Sequence, residues 1–336
     1  MLEAYEAQGR SNKRGERYAM DDDERHQEQD RRKHRPEDRP GDARSAGQGD
    51  ARGETRRDRG GRVTVTLTGV PETLLWTLYQ RACDARDPST AFRDPRAVEL
   101  VDTVDYPFAE TFGPPSPFLA QSQSLRVRTF DSVVRHFLGE RPDGTVVALG
   151  EGLETQFWRV DNGRMRWLTV DLPETAAVRL RLLPDGERRR TFACSALDPA
   201  WPDQVDTARG VLVTAQGLLM YLRPPEVREV IATCAEHFPG GALVFDAVPR
   251  WFSARTTHGG LRTPQGFTVP PMPWGMDAGE LRKVYGAHPH ITEVREIPPP
   301  RGRGVYYGAV QPVLRRLPVV RNLRPTMTVL TRFATR

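Results

Sequence analysis

The chain has 336 residues, of which 38% are hydrophobic and 28% charged, with a formal net charge of +5. That length exceeds what one small core requires and suits one large α/β domain with insertions. The basic balance does not make a nucleic-acid partner the default, because residues 1–62 hold sixteen Lys and Arg against fifteen Asp and Glu, and mixed-sign charge is a poor phosphate-binding surface.

Residues 1–62 contain no Val, Ile, Phe, Trp or Cys. Such a segment cannot bury enough apolar surface to offset its ordering entropy, and it is expected to be a disordered polyampholyte arm. The folded domain is then 63–336. Its first helix is expected in "TGVPETLLWTLYQRACDAR", where Leu74, Leu75, Leu78 and Ala82 recur at helical spacing and Pro71 suits a first turn. In "RDPRAVELV", Asp94 is placed to cap a second helix, with Pro95 at its first position and Val98 and Val101 inward. A third helix, "RTFDSVVRHFLGE", carries Phe130, Val133, Val134, Phe137 and Leu138 on one face and is expected to stop at Gly139.

Strands and helices then alternate. Strands are predicted at 145–149, 166–170, 191–194, 211–215 and 242–246, separated by helices in "DLPETAAVRLRLL" and "PPEVREVIATCAEHF". The latter turns Val227, Val230, Ile231, Cys234 and Phe238 inward. Short apolar strands separated by helices imply a mostly parallel, doubly wound sheet with right-handed crossovers. Segments 291–297 and 304–310 are expected to add antiparallel edges. Residues 248–277 are too long and too rich in Pro, Trp and Met for a plain connection, and they read as a lid or substrate-side insertion.

The chemistry is expected where the first strands end. "VVALGEGLETQ" closes an apolar run with Gly150 and Gly152, which let the backbone approach a ligand. Asp171, 21 residues after Gly150 and at the end of the second strand, has the offset of an acid that binds ribose hydroxyls. Its alternative reading is an N-cap for the helix beginning at Pro173. The third glycine of a dinucleotide fingerprint is replaced by Thr155, and Glu154 before it would repel a pyrophosphate. A ligand with a positive centre and no phosphate, such as S-adenosylmethionine, suits the turn better.

Taken together, "VVALGEGLETQFWRVDNGRMRWLTVDLPE", "TAQGLLMYL", "TGVPETLLWTLYQRA" and "PPMPWG" resemble the leucine carboxyl methyltransferase family. The likeness covers about residues 64–335, and it lies closest to bacterial O-methyltransferases of the tetracenomycin polyketide type. It implies a Rossmann-like class I methyltransferase fold, S-adenosylmethionine as cofactor, and the tasks of secondary metabolism. By position, it implies that Arg128 pairs with the methionine carboxylate, Gly150 and Gly152 flank the methionine, and Asp171 holds the ribose. Ser195 and Ala196 stand at the adenine-contacting pair, where many members have Asp-Leu, and Gln216 stands where many have Glu. Tyr221 matches the Tyr bordering the methyl-transfer site and is the residue assigned to catalysis. Glu154-Thr155-Gln156 replaces the common Asp-Thr-Arg, and Ala148 replaces an acid found in many methyltransferases.

The expected partner is a small-molecule acceptor, with no nucleic acid, no membrane and no metal. The cysteines Cys83, Cys194 and Cys234 have neither zinc nor disulfide spacing, and a cytoplasmic location is expected. Methyl transfer is an in-line displacement, so a carboxylate acceptor needs no base, whereas an aliphatic hydroxyl does. His258 and His290 are the candidate bases, and His136 is expected on a helix surface. None lies in a motif, which favours carboxyl O-methylation, with a phenol as the alternative acceptor. The rival classes are a nicotinamide-dependent oxidoreductase, a non-catalytic binding protein with a degenerate site, and a nucleic-acid-binding protein that uses the near-neutral arm.

Overall fold

The computed structural model describes residues 62–335 apart from 66, 68, 263, 264, 318, 319, 324 and 325. The arm assigned to residues 1–62 therefore lies outside the described residues, except for Arg62. Four helices come first: α1 (Thr73–Arg86), α2 (Pro95–Thr103), α3 (Phe108–Phe112) and α4 (Pro117–Glu140). Asp94 caps α2 by accepting the Ala97 N–H at 3.1 Å, with Pro95 at the first turn, as its spacing requires. Ala97 and Leu100, rather than Val98 and Val101, turn fully inward from α2. The third expected helix is longer than its apolar stripe. It starts at Pro117 behind the Ser116 cap, runs through Gly139 and ends at Glu140. An added Cβ at Gly139 would meet nothing within 4 Å, and no left-handed backbone is needed there.

The alternating part gives β1 (Thr145–Leu149), α5 (Gln156–Val160), β2 (Arg166–Asp171), α6 (Pro173–Leu182), β3 (Arg189–Ala193), β4 (Val211–Ala215), α7 (Pro224–His237), β5 (Ala242–Ala247), α8 (Arg250–His258), β6 (Ile291–Ile297) and β7 (Met327–Phe333). These strands form one seven-stranded sheet in the order β6-β7-β5-β4-β1-β2-β3. β7 pairs antiparallel with both its neighbours, and the other pairings are parallel. Residues alternate between the two covered faces. Val146 and Ala148 join Phe130, Val134 and Phe137 of α4, whereas Val147 and Leu149 join Val227, Val230 and Ile231 of α7. The fold is the expected mostly parallel α/β sandwich, and the strand order reverses between β1 and β4. In such sheets ligands bind beyond the carboxyl ends at the reversal.

The expected strand at 304–310 is not one. Residues Tyr306–Val310 form a single wide helical turn, continued by the helix Gln311–Leu314. In a strand, Tyr306 and Tyr307 would face opposite ways. Here both rings pack on Phe118, at 5.3 and 5.0 Å, and the Tyr307 hydroxyl donates to the Phe118 carbonyl. The antiparallel strand comes instead from "MTVLTRF", which inserts between β5 and β6 and is buried almost throughout.

α1, α2 and α3 make their own cluster around Leu75, Leu78, Leu100 and Phe112. Leu153, just past Gly152 and 1% exposed, belongs to that cluster. Burying such a side chain is worth roughly 2 kcal/mol, so the N-terminal helices hold the glycine loop down. The segment 248–277 packs rather than hangs free. Met272, Phe252 and Val269 sit against Met220 and Tyr221, while Phe267 meets Phe112 at 5.1 Å. No described helix is long and apolar enough to cross a membrane.

Candidate active site

The loop after β1 is built for close approach. Gly150 and Gly152 take φ of +60° and +53°, a region that costs other residues about 1–2 kcal/mol. Space is short as well: an added Cβ would lie 2.9 Å from Leu218 Cδ1 at Gly150 and 3.2 Å from Leu74 Cβ at Gly152. The Gly150 N–H donates to the Val170 carbonyl at 2.8 Å, which fixes the loop against the end of β2.

Asp171 closes the other side. Its Oδ2 accepts the Gly152 N–H at 2.6 Å and its Oδ1 accepts the Leu172 N–H at 2.9 Å. The N-cap position of α6 is Leu172, with no side-chain cap, so the helix-capping reading of Asp171 does not hold. Burial pushes its carboxyl up to about 6, only partly countered by the two N–H donors and by Arg179. A desolvated carboxylate with lone pairs directed at a glycine loop is suited to hydroxyl donors from a ligand.

The register places Asp171 opposite Ala193, the last residue of β3. The following turn holds Ser195 and Ala196. The Ser195 hydroxyl accepts the Leu197 N–H at 3.1 Å, and the Ala196 carbonyl accepts the indole N–H of the fully buried Trp201. These two residues reach the same sheet end as Asp171 by topology, but their described hydrogen bonds stay within their own turn. Gln216, after β4, donates to Glu154 Oε2 at 3.1 Å, while its own Oε1 is buried with no hydrogen-bond partner among the described residues.

Arg128 is half-buried on α4 and has no ion pair or hydrogen bond with any described residue. It lies one turn before Asp131 on the same helix stripe. Asp131 accepts from Gln156 at 3.0 Å and from Arg159 at 2.9 Å, just past the glycine loop. Tyr221 lies in the short turn Leu219–Tyr221, against Met220, Val248 and Met272. Burial raises its phenol above the ordinary value, offset in part by a side-chain hydrogen bond with Thr73 and by the Arg126 charge.

Several charged residues here were not anticipated. Arg126 donates to the fully buried Asp246 at 2.5 Å, and Asp246 also accepts the Gly217 N–H at 2.7 Å. Arg179, with no exposed surface, donates to the carbonyls of Gly152 at 2.6 Å and Glu154 at 2.9 Å, and pairs with Glu151 at 2.9 Å. Arg81 donates to the Leu153 carbonyl at 2.9 Å. The visible signal was an arginine or aspartate within an otherwise buried stripe, as in "TAAVRL" and "LVFDA".

Glu154 corrects an expectation. Arg81 and Arg159 both reach its Oε1 at 2.7 Å, and Asp94 pairs with the same two arginines. Despite burial, the two cations hold its carboxyl down at about 2. Its charge is neutralised within this cluster, so repulsion of a pyrophosphate is not what selects the ligand. The remaining features fit the methionine end and the adenosine of a sulfonium ligand: an unpaired guanidinium, an orphaned buried amide oxygen, a tight glycine loop and a desolvated acid.

Neither candidate base stands in this crevice. His258 ends α8, exposed, with Nδ1 beside the Ala254 carbonyl and the Thr257 hydroxyl. His290 precedes β6, and its carbonyl is tied through Ala334 to the chain entering β5 at the amino ends of the parallel strands. His136 lies on the α4 surface beside Glu140.

Residues 75–235 match the leucine carboxyl methyltransferase family. The tetracenomycin polyketide synthesis O-methyltransferase TcmP of Streptomyces glaucescens is 36% identical over 194 residues, covering 56% of this chain and 69% of that protein. The S-adenosyl-L-methionine-dependent methyltransferase dpfgK of Gibberella zeae is 31% identical over 203 residues, covering 54% and 67%. Among solved structures, the CurJ carbon methyltransferase aligns with a TM-score of 0.45 at 12% identity, covering 79% of this chain and 68% of that one. Magnesium protoporphyrin IX methyltransferase from Synechocystis, with bound S-adenosylmethionine, gives 0.40 at 11%, covering 73% and 100%. With the family match spanning the glycine loop and Asp171, and two curated relatives above 30% identity, the chain belongs to the leucine carboxyl methyltransferase family and uses S-adenosylmethionine as its methyl donor.

Proposed function

We propose that this methyltransferase transfers a methyl group to a carboxylate oxygen of an aromatic or polyketide-like small molecule, giving a methyl ester. The observation that carries the reading is that, among the described residues, neither candidate histidine base stands at the crevice. Among the described residues, the histidines proposed for that task lie on an exposed helix end and at the opposite end of the sheet. An acceptor that is already ionised needs none. The name of the Streptomyces relative, a polyketide O-methyltransferase, agrees with this acceptor class.

In this reading Asp171 accepts the ribose hydroxyls, Gly150 and Gly152 let the backbone lie along the methionine, and Arg128 neutralises its carboxylate. Ser195 and Ala196 border the adenine, and Gln216 offers its unused amide oxygen. The donor supplies an electrophilic methyl group on a sulfonium. The chain's own contribution is alignment and exclusion of water. Tyr221 packs against the 248–277 segment, where it borders the acceptor and sets its distance from the donor. Phe252 and Met272 make the adjoining wall apolar, suited to a flat acceptor.

The test is to incubate the enzyme with labelled S-adenosylmethionine and a panel of aromatic carboxylic acids and phenols, and then to treat the products with alkali. A methyl ester loses its label and an aryl methyl ether keeps it. An alkali-stable product would overturn the carboxyl assignment and point to a phenol.

A further inference from the structure

At the end of the sheet away from the crevice, three potential metal ligands converge from two elements. Glu236 comes from the last turn of α7, and His288 and His290 come from the turn that leads into β6. Their ligand atoms all lie within 4.8 Å of one another. His288 Nε2 is 3.1 Å from Glu236 Oε2, and the two imidazoles stand edge to face with centroids 4.7 Å apart. We propose that His288, His290 and Glu236 form a structural site for a divalent transition ion of the Zn2+ type, stapling the end of α7 to the start of β6.

The chemistry of the set selects the ion. Two imidazoles and one carboxylate suit a borderline cation such as Zn2+, whereas Mg2+ and Ca2+ prefer shells of oxygen. With bonds of about 2.0–2.1 Å and tetrahedral angles, ligand atoms stand roughly 3.4 Å apart. The His288–Glu236 pair, at 3.1 Å, is already near that separation, and the His290 ligand atom lies within 4.8 Å of both partners. Three protein ligands leave a fourth position for water.

The backbone that carries the ligands is fixed in advance. The His290 carbonyl accepts the Ala334 N–H at 2.8 Å, and the Ala334 carbonyl accepts the N–H of Gly240, four residues after Glu236. The His288 carbonyl accepts the Ile291 N–H at 3.2 Å. An ion would therefore order side chains and leave the chain path as it is. Placing it on His288 Nε2 moves the ring proton to Nδ1, at the expense of the long 3.3 Å contact from the His290 N–H. Because imidazole binds metal only when unprotonated, affinity falls as pH is lowered. The site lies beside the amino ends of the parallel strands, so the ion braces the fold and takes no part in methyl transfer.

The experiment titrates Zn2+ into the untagged full chain, following heat and melting temperature, and repeats it with the double variant His288→Asn/His290→Gln and with Glu236→Gln. The expected result is one equivalent of Zn2+ bound with a rise in melting temperature. The double variant should lose that equivalent, and Glu236→Gln should weaken it by at least roughly 10- to 100-fold, the range seen for lesser ligand perturbations. Co2+ added to the wild-type chain should give visible d–d bands that Glu236→Gln alters, a readout that stands even where the double variant does not fold. Unchanged stoichiometry and melting shift in the variants, or no effect of Zn2+ and no Co2+ bands in the wild type, would overturn the proposal.

Discussion

Asp171 and Gly152 are joined by a 2.6 Å hydrogen bond from the loop N–H to the carboxylate Oδ2, across 19 residues of sequence. With the Gly150 N–H bond to the Val170 carbonyl, that contact sets the glycine loop against the end of β2, and it places a desolvated acid where a ligand hydroxyl can share it. The acid is held at about 6 against an ordinary 3.8. Between those values the folded chain binds a proton that the unfolded chain has released. Stability therefore falls as pH rises through the window, by up to roughly 3 kcal/mol once Asp171 is ionised.

Asp171→Asn removes that penalty while keeping a carbonyl for the Gly152 N–H. The ligand-free variant is expected to be more stable than wild type at pH 7 by about 1–3 kcal/mol, and to show no such advantage at pH 4. Urea melts at the two pH values check this. Affinity for S-adenosylmethionine should move the opposite way in wild type, weakening as pH falls below about 6, because hydroxyl donors prefer the carboxylate to the acid.

Arg179 is expected to matter for folding as much as any residue of the crevice. Its loss strands the Glu151 carboxylate and frees the carbonyls of Gly152 and Glu154. Breaking a buried pair from one side costs about 3–5 kcal/mol. Arg179→Met should therefore lower the melting temperature by roughly 10 °C. The double change Glu151→Gln/Arg179→Met should recover part of that loss, which calorimetric melts would detect.

The Glu154 cluster gives the opposite pH sign. A carboxyl held at about 2 by Arg159 and Arg81 adds stability that is complete above its ordinary 4.5 and disappears as pH falls toward 2. Glu154→Gln should destabilise at pH 7 by a few kcal/mol and by much less at pH 2.5. Equal losses at both pH values would assign its contribution to packing instead.

Much of the site was legible because glycines and strand ends are local signals. Gly150, Gly152 and Asp171 follow from the end of an apolar run and a fixed offset, and the structure joins them directly. The paired charges were not legible, since Arg179, Arg126 and Asp246 acquire their roles only when distant segments meet. Arg126 and Asp246 are 120 residues apart. The same limit explains the misplaced last strand. "GVYYGAV" has strand composition, but the contact of both tyrosines with Phe118 turns it into helix, and the edge was left to "MTVLTRF".

The acceptor is readable from the pH dependence of turnover. A carboxylate is fully ionised by about pH 6, so the rate should be nearly flat from roughly pH 6 to 9. A phenol, with a pKa near 10, should give a rate rising through that range. Steady-state rates across the range, with enzyme stability checked at each pH, separate the two.

The most direct test of the donor site is calorimetric titration of S-adenosylmethionine into wild type, Asp171→Ala and Arg128→Ala. Each variant should lose on the order of 1.5–3 kcal/mol, a tenfold or greater fall in affinity, because the proposed site gives each residue a charge-assisted contact to the donor. Wild-type affinity in both variants, with melting curves showing both folded, would contradict the placement of the donor between the glycine loop and Asp171.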